Sequence, residues 1–164
     1  MSEVHIQRGG CDIVLLQEHL DAVYNAGMFI TINKRKTSYG VYAIPVVCKK
    51  INGQIVYRTA LSRYILRPCD MSHVDHIDRN PLNNIPSNLR LATCSQNGAN
   101  RLKTHGTKFK YKGIRISKGK YYAGCKEKGV TYSAGPFSDE LDAAKAYNRI
   151  AIMLFGPYAA INNI

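Results

Sequence analysis

The chain has 164 residues, with 23 Lys and Arg against 11 Asp and Glu and a formal net charge of +12. A surplus of this sign attracts polyanions and gives salt-sensitive affinity for nucleic acid. No apolar run approaches the roughly 20 residues of a membrane helix, and the N-terminus lacks a signal-peptide pattern. Five widely spaced cysteines without a C-x-x-C pair argue against a disulfide framework and against structural zinc. We therefore expect a cytoplasmic protein. Its charge fits either a protein that binds polyanions or a merely soluble basic protein, and the motifs have to decide between them.

The first 70 residues predict a small β-rich unit that opens with a helix. Four apolar residues recur at helical spacing, namely Leu15, Leu16, Leu20 and Val23. The pattern stops near residues 25–27. A second, short helix is predicted over residues 60–66. These two helices flank a strand-rich stretch.

That stretch contains three strand-like runs, at residues 28–33, 39–50 and 54–60. Asn52-Gly53 between the last two runs is a strong hairpin signal. The predicted turn at residues 33–38 places Lys34, Arg35 and Lys36 at a loop tip. These cations either lie in solvent or contact phosphate.

The middle of the chain is polar and predicts loops around short elements. Residues 71–103 are rich in Asn and Pro. A strand is predicted over residues 89–93, and Ser95 is the predicted N-cap of a short helix. Residues 104–110 predict a basic linker.

The C-terminal segment predicts an antiparallel meander followed by one helix. Its strand-like runs are KGIRIS, KYYAGCKE and VTYSAG, separated by tight turns at Lys118-Gly119 and Lys128-Gly129. Ser138 is the predicted N-cap of the helix, and Gly156-Pro157 ends it. The predicted apolar stripe of this helix is Leu141, Ala144, Tyr147, Ala151 and Leu154.

Together these patterns predict an α+β fold made of small sheets and few helices. We divide the chain into an N-terminal β-rich unit, a central motif, a basic linker and a C-terminal sheet-helix domain. The predicted bounds are 1–70, 71–103, 104–110 and 111–164.

Residues 74–101 bring together the side chains that phosphodiester hydrolysis needs. Asp75 and His76 are adjacent, Asn88 lies twelve residues after His76, and Asn97 lies nine residues further on. Carboxylate and amide oxygens suit Mg²⁺, which neutralises charge developing on a phosphate. A neutral histidine can take a proton from water near physiological pH. Because adjacent strand residues point to opposite faces, Asp75 and His76 act together only if a strand ends there.

The run V-D-H-I-D-x-N-P-L-N-N-x-P-x-N-L-R-L-A-T-x-S-Q-N-x-x-N-R resembles the HNH endonucleases, in the subgroup common among phage homing enzymes. The resemblance implies a β-β-α metal motif in which His76 is the general base. It implies that Asp75 and Asn97 hold one divalent ion, Mg²⁺ or Mn²⁺ or another, and that Asn88 braces the loop. It also implies a phage-encoded enzyme that cuts double-stranded DNA.

Other polar residues in this stretch have alternative interpretations. Asn83 and Asn84 are expected to form turns, because Asn readily bonds its own backbone. Asn100 is either a helix-surface residue or a phosphate contact. Arg101, one helical turn after Asn97, is expected to contact phosphate, whereas His73 and Asp78 are expected to be peripheral.

The C-terminal run K-G-I-R-I-S-K-G-K-Y-Y-A-G-C with A-A-K-A-Y-N in the helix and a closing A-A-I-N resembles the ethylene-response-factor DNA-binding domain. That family reads the major groove with a three-stranded sheet packed on one helix. The resemblance implies DNA contacts by Lys112, Arg115, Tyr121 and Lys126, with Tyr121 in place of the family's usual Trp. Lys120 and Lys128 add cations to the same small sheet, and a solvated sheet face is the alternative.

The combined interpretation is a metal-dependent DNA endonuclease with one catalytic motif per chain. One motif predicts one nick per binding event, so the chain acts as a monomer or as a DNA-dependent homodimer. The first rival is a non-catalytic DNA-binding regulator, and the second is an RNA-binding module that stacks bases on tyrosines. Intact Asp75, His76, Asn88 and Asn97 disfavour the first rival.

Overall fold

The computed structural model describes residues 2–37, 40–103 and 108–164. The chain divides into two compact units, Met1–Ala92 and Thr93–Ile164. Ser38 of the predicted turn and residues 104–107 of the predicted linker lie outside the described residues. The prediction of an α+β fold with several small sheets and few helices is confirmed.

Within its described residues, the first unit contains seven strands and two helices. In chain order they are β1 (Glu3–Arg8), β2 (Cys11–Leu16), α1 (Gln17–Asn25), β3 (Phe29–Thr37), β4 (Gly40–Ile51), β5 (Gln54–Ala60), α2 (Leu61–Leu66), β6 (His73–His76) and β7 (Leu89–Ala92). They form a β1–β2 hairpin, an antiparallel β3–β4–β5 sheet and a β6–β7 hairpin. The predicted helix over residues 60–66 is confirmed by α2.

Two predictions for the first unit are wrong in detail. Leu15 and Leu16 belong to β2 and not to the first helix, which begins at Gln17. Both leucines pair with β1 and are buried, and two buried leucines fit a strand and a helix equally well. The cations Lys34–Lys36 lie in β3, opposite residues 41–43 of β4, and not at a loop tip.

The core of the first unit is aliphatic and collects side chains from five of its elements. Its buried members are Ile13, Leu15, Leu20, Val23, Ile30, Val47 and Leu61. Helix α2 packs against β4, β5, β6 and β7. Arg63 of α2 donates hydrogen bonds to the carbonyl oxygens of Ser72 at 2.6 Å and Asp70 at 2.9 Å. These bonds fix the segment that leads into β6.

The second unit contains a short helix, a three-stranded sheet and a long helix. These elements are α3 (Cys94–Ala99), β8 (Ile114–Ser117), β9 (Lys120–Glu127), β10 (Val130–Phe137) and α4 (Glu140–Phe155). The sheet is antiparallel in the order β10–β9–β8, and α4 packs against all three strands. The predicted meander with one helix across it is confirmed.

Turns and helix ends of the second unit follow from local backbone preferences. Lys118-Gly119 and Lys128-Gly129 both have positive φ, as tight hairpin turns require. Helix α4 ends at Gly156, whose φ is +52°. The N-cap of α4 is Asp139 and not Ser138, because the Asp139 carboxylate accepts a hydrogen bond from the backbone N–H of Leu141 at 3.1 Å.

The core of the second unit lies between α4 and the sheet. Tyr147 is 4% exposed and packs with Ala123, Ala146 and Ala151. Of the predicted stripe, Ala144, Tyr147 and Ala151 are buried, whereas Leu141 is exposed. Within the described residues, no helix is long and apolar enough to cross a membrane.

Candidate active site and nucleic-acid surface

The β6–β7 hairpin carries the adjacent Asp75 and His76. Its register places Asp75 opposite Arg90 and His76 opposite Leu89. Strand β6 ends at His76, and the backbone N–H of Arg79 turns back to the His76 carbonyl at 2.9 Å. The strand therefore ends at His76, which is the condition for Asp75 and His76 to act together.

The loop between the two strands, residues 77–88, is braced by Asp78 and Asn88. The Asn88 amide accepts a hydrogen bond from the Asp78 backbone N–H at 3.0 Å and donates to the Asp78 carboxylate at 2.9 Å. It also donates to the carbonyl of Asn83 at 2.9 Å. These bonds agree with the brace expected of Asn88, and they make Asp78 the other half of that brace, although the sequence suggested a peripheral role.

The Asp78 carboxylate accepts hydrogen bonds from two further groups. The backbone N–H of Asn80 lies 2.8 Å away, and the side-chain amide of Asn83 lies 2.8 Å away. Partial burial raises the pKa of Asp78, but the hydrogen bonds outweigh it, so this pKa lies below its ordinary value. The carboxylate is therefore ionised at neutral pH.

The orientation of the His76 ring is set by Asn84. Asn84 donates a hydrogen bond through its amide nitrogen to the Pro81 carbonyl at 3.1 Å, which directs its oxygen toward His76. His76 Nε2 lies 3.4 Å from that oxygen. Because a carbonyl oxygen only accepts, Nε2 carries the proton and Nδ1 is the basic nitrogen of the neutral ring. Asn84 thus selects the tautomer.

Asn84 is rigid because the loop docks on strand β2. Its backbone N–H donates to the Val14 carbonyl at 2.7 Å, and the Val14 N–H donates to the Leu82 carbonyl at 2.9 Å. Asn84 is only 1% exposed. Burial lowers the pKa of His76 below its ordinary value, and the Asn84 hydrogen bond and nearby carboxylates offset this only in part. The neutral form of the imidazole is therefore favoured.

Asp75 forms a buried ion pair with Arg90 across the hairpin. The guanidinium Nε and Nη2 atoms of Arg90 each lie 2.8 Å from Asp75 Oδ2. The side chain of Asp75 is 5% exposed and that of Arg90 is 16% exposed. The predicted metal ligand is thus an ionised carboxylate already engaged by a cation.

Asn97 lies in the second unit, in helix α3. The helix begins with a capping box, in which Thr93 Oγ1 accepts from the Gln96 N–H at 3.2 Å and Gln96 Oε1 accepts from the Thr93 N–H at 2.9 Å. Thr93 and not Ser95 is therefore the N-cap. Ser95 instead donates a hydrogen bond from its hydroxyl to Glu127 of β9.

The residues after Asn97 differ from expectation in their placement. Arg101 is exposed and lies beyond the end of α3 at Ala99, so it does not continue the helical face of Asn97. Asn100 is 5% exposed, which makes the helix-surface alternative wrong. Lys112 Nζ donates to the carbonyls of Ala99 at 2.8 Å and Arg101 at 2.5 Å. The C-terminal end of α3 is thereby fixed to the segment entering β8.

The donor chemistry fits a hard divalent ion. Asp75 offers a carboxylate and Asn97 a neutral amide oxygen, and Mg²⁺ commonly takes one or two protein ligands plus waters and substrate phosphate. No group of three or more His, Cys, Asp or Glu side chains converges in the part of the chain that the structure describes. An ion at Asp75 must compete with the guanidinium of Arg90.

The face of the β8–β9–β10 sheet turned away from α4, called the outer face below, is cationic and aromatic. Ala123 is fully buried against α4, so its neighbour Tyr122 points to the outer face. The Arg115 guanidinium lies over the Tyr122 ring, 4.4 Å from its centre. By the same alternation, Lys120 and Lys126 lie on this face and are exposed, and Lys128 is exposed in the adjoining turn.

Two of the residues predicted to contact DNA have other positions. Tyr121 lies on the same face as Ala123, and its ring packs edge-on against Phe109 with centroids 6.4 Å apart. The ammonium of Lys112 is engaged at the end of α3. Tyr122 occupies the outer face in place of Tyr121. The DNA-binding roles of all six residues stay predictions.

The sequence pattern missed three side chains of the hairpin site: Asp78, Asn84 and Arg90. A signal existed for Asp78, because Asp-x-Asn-Pro is typical of a side chain that bonds the backbone two residues on. Arg90 becomes the partner of Asp75 only through the strand register, and Asn84 reaches His76 only because its loop docks on β2. Neither relation has a sequence signal.

Comparison with known proteins finds similarity to HNH endonucleases over this segment. Residues 68–99, from Pro68 through β6, β7 and α3, match the HNH endonuclease family. An uncharacterized HNH endonuclease of Acanthamoeba polyphaga mimivirus is 45% identical over 98 residues, which cover 59% of this chain and 50% of that protein. The chain thus spans half the length of this relative. No solved structure matches the chain.

These matches confirm the HNH part of the resemblance. The matched segment contains all four motif residues: Asp75, His76, Asn88 and Asn97. At the level of the family, the chain carries a segment that matches the HNH endonucleases, and HNH nucleases generally use a divalent metal ion. The resemblance to the ethylene-response-factor domain stays a prediction.

Proposed function

We propose that the chain is a metal-dependent endonuclease that hydrolyses phosphodiester bonds of double-stranded DNA. The observation that carries this proposal is the setting of His76 at the end of β6. A buried amide selects its tautomer, and burial favours its neutral form. A general base must be unprotonated and correctly oriented, and these two features provide both conditions. Asp75, the proposed metal ligand, is its neighbour in the chain.

His76 takes the role of general base in the proposed reaction. Its Nδ1 accepts a proton from the attacking water while Nε2–H keeps its hydrogen bond to Asn84. The water attacks phosphorus, the bond to the 3′ oxygen breaks, and the leaving oxygen is protonated from solvent. The brace between Asp78 and Asn88 keeps the loop, and with it Asn84, in position during this transfer.

Asp75 and Asn97 are the proposed ligands of one divalent ion, Mg²⁺ or Mn²⁺ or another. When bound, such an ion supplies charge stabilisation at the phosphate and at the leaving oxygen. Arg101, exposed beyond α3, is the proposed phosphate contact. One motif per chain gives one nick per binding event, so a double-strand break requires a homodimer or two events.

The outer face of the second unit is the proposed DNA-binding surface. Arg115 stacked on Tyr122 presents its guanidinium together with Lys120 and Lys126, and such a surface meets phosphates and base edges. A sheet packed on one helix agrees in form with the ethylene-response-factor domain. In this assignment Tyr122 takes the aromatic role first given to Tyr121.

Plasmid nicking tests the proposed activity. The purified chain should convert supercoiled plasmid to open circles with Mg²⁺ and leave it intact with EDTA. His76→Ala should lower the rate by at least about a hundredfold, the usual contribution of a general base, without changing DNA affinity in a gel shift. His73→Ala is the matched control, since His73 lies exposed on the same strand.

The outcomes separate the proposal from its rivals. A regulator shifts DNA in the gel and never nicks it, with or without Mg²⁺. An RNA-binding module is displaced from duplex DNA by single-stranded RNA at lower concentration than by competing duplex. Normal nicking by His76→Ala would show that His76 is not the base.

A further inference from the structure

The buried Asp75–Arg90 pair carries an inference that rests on the proposed function and extends it. We propose that Arg90 is a positioning residue that occupies Asp75 in the metal-free protein and yields it to the divalent ion when DNA binds. Arg90 then contacts a backbone phosphate. Ion binding and DNA binding are coupled through this exchange.

The strand register places Asp75 and Arg90 next to each other. Asp75 and Arg90 are directly opposite in the β6–β7 hairpin, and two guanidinium nitrogens lie 2.8 Å from the same carboxylate oxygen. Directly opposite side chains of an antiparallel pair are held close by the backbone. No rearrangement of the loop at residues 77–88 is needed to form or keep the contact.

Burial explains why a cation must be present before the metal arrives. Asp75 is 5% exposed, and an unpaired carboxylate in such a position is strongly unfavourable. Arg90 satisfies this requirement in the metal-free chain. Its guanidinium is well suited to the task because it is always charged and more weakly hydrated than an ammonium.

An ion and Arg90 oppose one another at the same carboxylate. Mg²⁺ binds carboxylate oxygen at about 2.0–2.1 Å, so an ion on Asp75 lies within a few ångströms of the guanidinium. Two cations at that distance in a water-poor site repel each other. Ion binding to the free protein is therefore weakened by Arg90.

A DNA phosphate relieves this repulsion in two ways. It adds oxygen ligands and negative charge to the ion, and it offers the guanidinium a planar, bidentate partner. The Arg90 side chain is 16% exposed, so part of it already meets solvent at the surface of the hairpin. Because the coupling is thermodynamic, ions must tighten DNA binding by the same factor.

Equilibrium binding of Mn²⁺, followed by its paramagnetic resonance signal, tests the exchange. All variants carry His76→Ala to prevent cleavage, and each is titrated alone and with sonicated duplex DNA. Without DNA, Arg90→Gln should bind Mn²⁺ about tenfold more tightly than the arginine form. The factor by which DNA increases Mn²⁺ affinity should then be about tenfold smaller for Arg90→Gln than for the arginine form. Arg90→Lys keeps the charge and should raise Mn²⁺ affinity only modestly, by less than Arg90→Gln does.

Thermal unfolding without DNA provides a readout that does not depend on metal-loaded activity. In EDTA, Arg90→Gln should unfold at a lower temperature than the arginine form. Added Mn²⁺ should then raise the unfolding temperature of Arg90→Gln by more than it raises that of the arginine form. If Arg90→Gln does not fold, the Arg90→Lys variant carries the test. Replacing a guanidinium by a more strongly hydrated ammonium should then raise Mn²⁺ affinity modestly.

The outcomes distinguish this inference from the proposed function. If Arg90→Gln binds Mn²⁺ no more tightly than the arginine form, or more weakly, Arg90 does not compete with the ion and the inference is wrong. Asp75→Asn should abolish the Mn²⁺ signal in every background. If Asp75→Asn binds Mn²⁺ as the arginine form does, Asp75 is not a ligand and the proposed metal site itself fails.

Discussion

Among the glycines that the structure describes, Gly113 is the one at which an added methyl group makes the closest contact. Its φ is +74°, and a Cβ built there would lie 1.9 Å from Cδ2 and 2.1 Å from Cε2 of Tyr147. Tyr147 is 4% exposed and its ring is enclosed by the core of the second unit. The ring cannot move aside without displacing that core.

Gly119 provides a matched control in the same unit. Its φ is +71°, but a Cβ there meets no atom within 4 Å. Alanine at either position incurs the left-handed backbone cost of about 1–2 kcal/mol. Only Gly113→Ala adds the overpacking cost of about 1–3 kcal/mol, so the two variants should differ by that amount.

Chemical and thermal denaturation measure this difference. We expect Gly113→Ala to lower the free energy of unfolding of the second unit by about 2–5 kcal/mol and Gly119→Ala by about 1–2 kcal/mol. For a unit of this size each kcal/mol corresponds to about 4–8 °C in Tm. Equal destabilisation by both variants would refute the packing argument, because they share the backbone term and differ only in the contact with Tyr147.

Two further predictions concern the loop brace and the outer face. Asp78→Asn should lower the free energy of unfolding at pH 7 by about 0.5–1 kcal/mol, a figure reduced for solvent screening. Because the folded pKa of Asp78 is depressed, its contribution is present above the ordinary value of 3.8 and is lost as pH falls through the folded pKa. In urea unfolding, the difference in free energy of unfolding between Asp78→Asn and the unchanged chain should therefore shrink from pH 7 to pH 3. A difference that stays constant would contradict a stabilising role for the ionised carboxylate. Arg115→Ala should weaken duplex binding and reduce the slope of log affinity against log salt by about 1, as measured by fluorescence anisotropy. Lys145→Ala on exposed α4 is its control, and an equal change in both variants would exclude the outer face as the binding surface.

The sequence by itself determined the elements that depend on local backbone chemistry. Lys118-Gly119 and Lys128-Gly129 specify tight turns because glycine adopts positive φ without strain, and Gly156 ends α4 for the same reason. The order of strand, strand and short helix around residues 74–101 was also predictable, since its polar spacing matches the HNH family. These signals lie within a few residues of the structure they specify.

Choices between neighbouring candidates required the folded chain. Thr93 and Ser95, and likewise Asp139 and Ser138, are all good capping residues, and the hydrogen bonds made in the structure select the first of each pair. Leu15 and Leu16 fit a helical pattern until pairing with β1 draws them into a strand. Local sequence preferences do not decide between two neighbouring capping residues, or between helix and strand for two leucines, because both choices satisfy those preferences equally.

The environment of the candidate site was decided by tertiary structure. The sequence identified Asp75 and His76, but strand register gives Asp75 its partner Arg90, and docking of the loop on β2 brings Asn84 to His76. Asp75 and Arg90 are fifteen positions apart along the chain, and Asn84 is seventy positions from Val14 of β2. Charge, tautomer and burial arise only when such residues meet, so a motif names the reacting groups and the fold sets their chemical state.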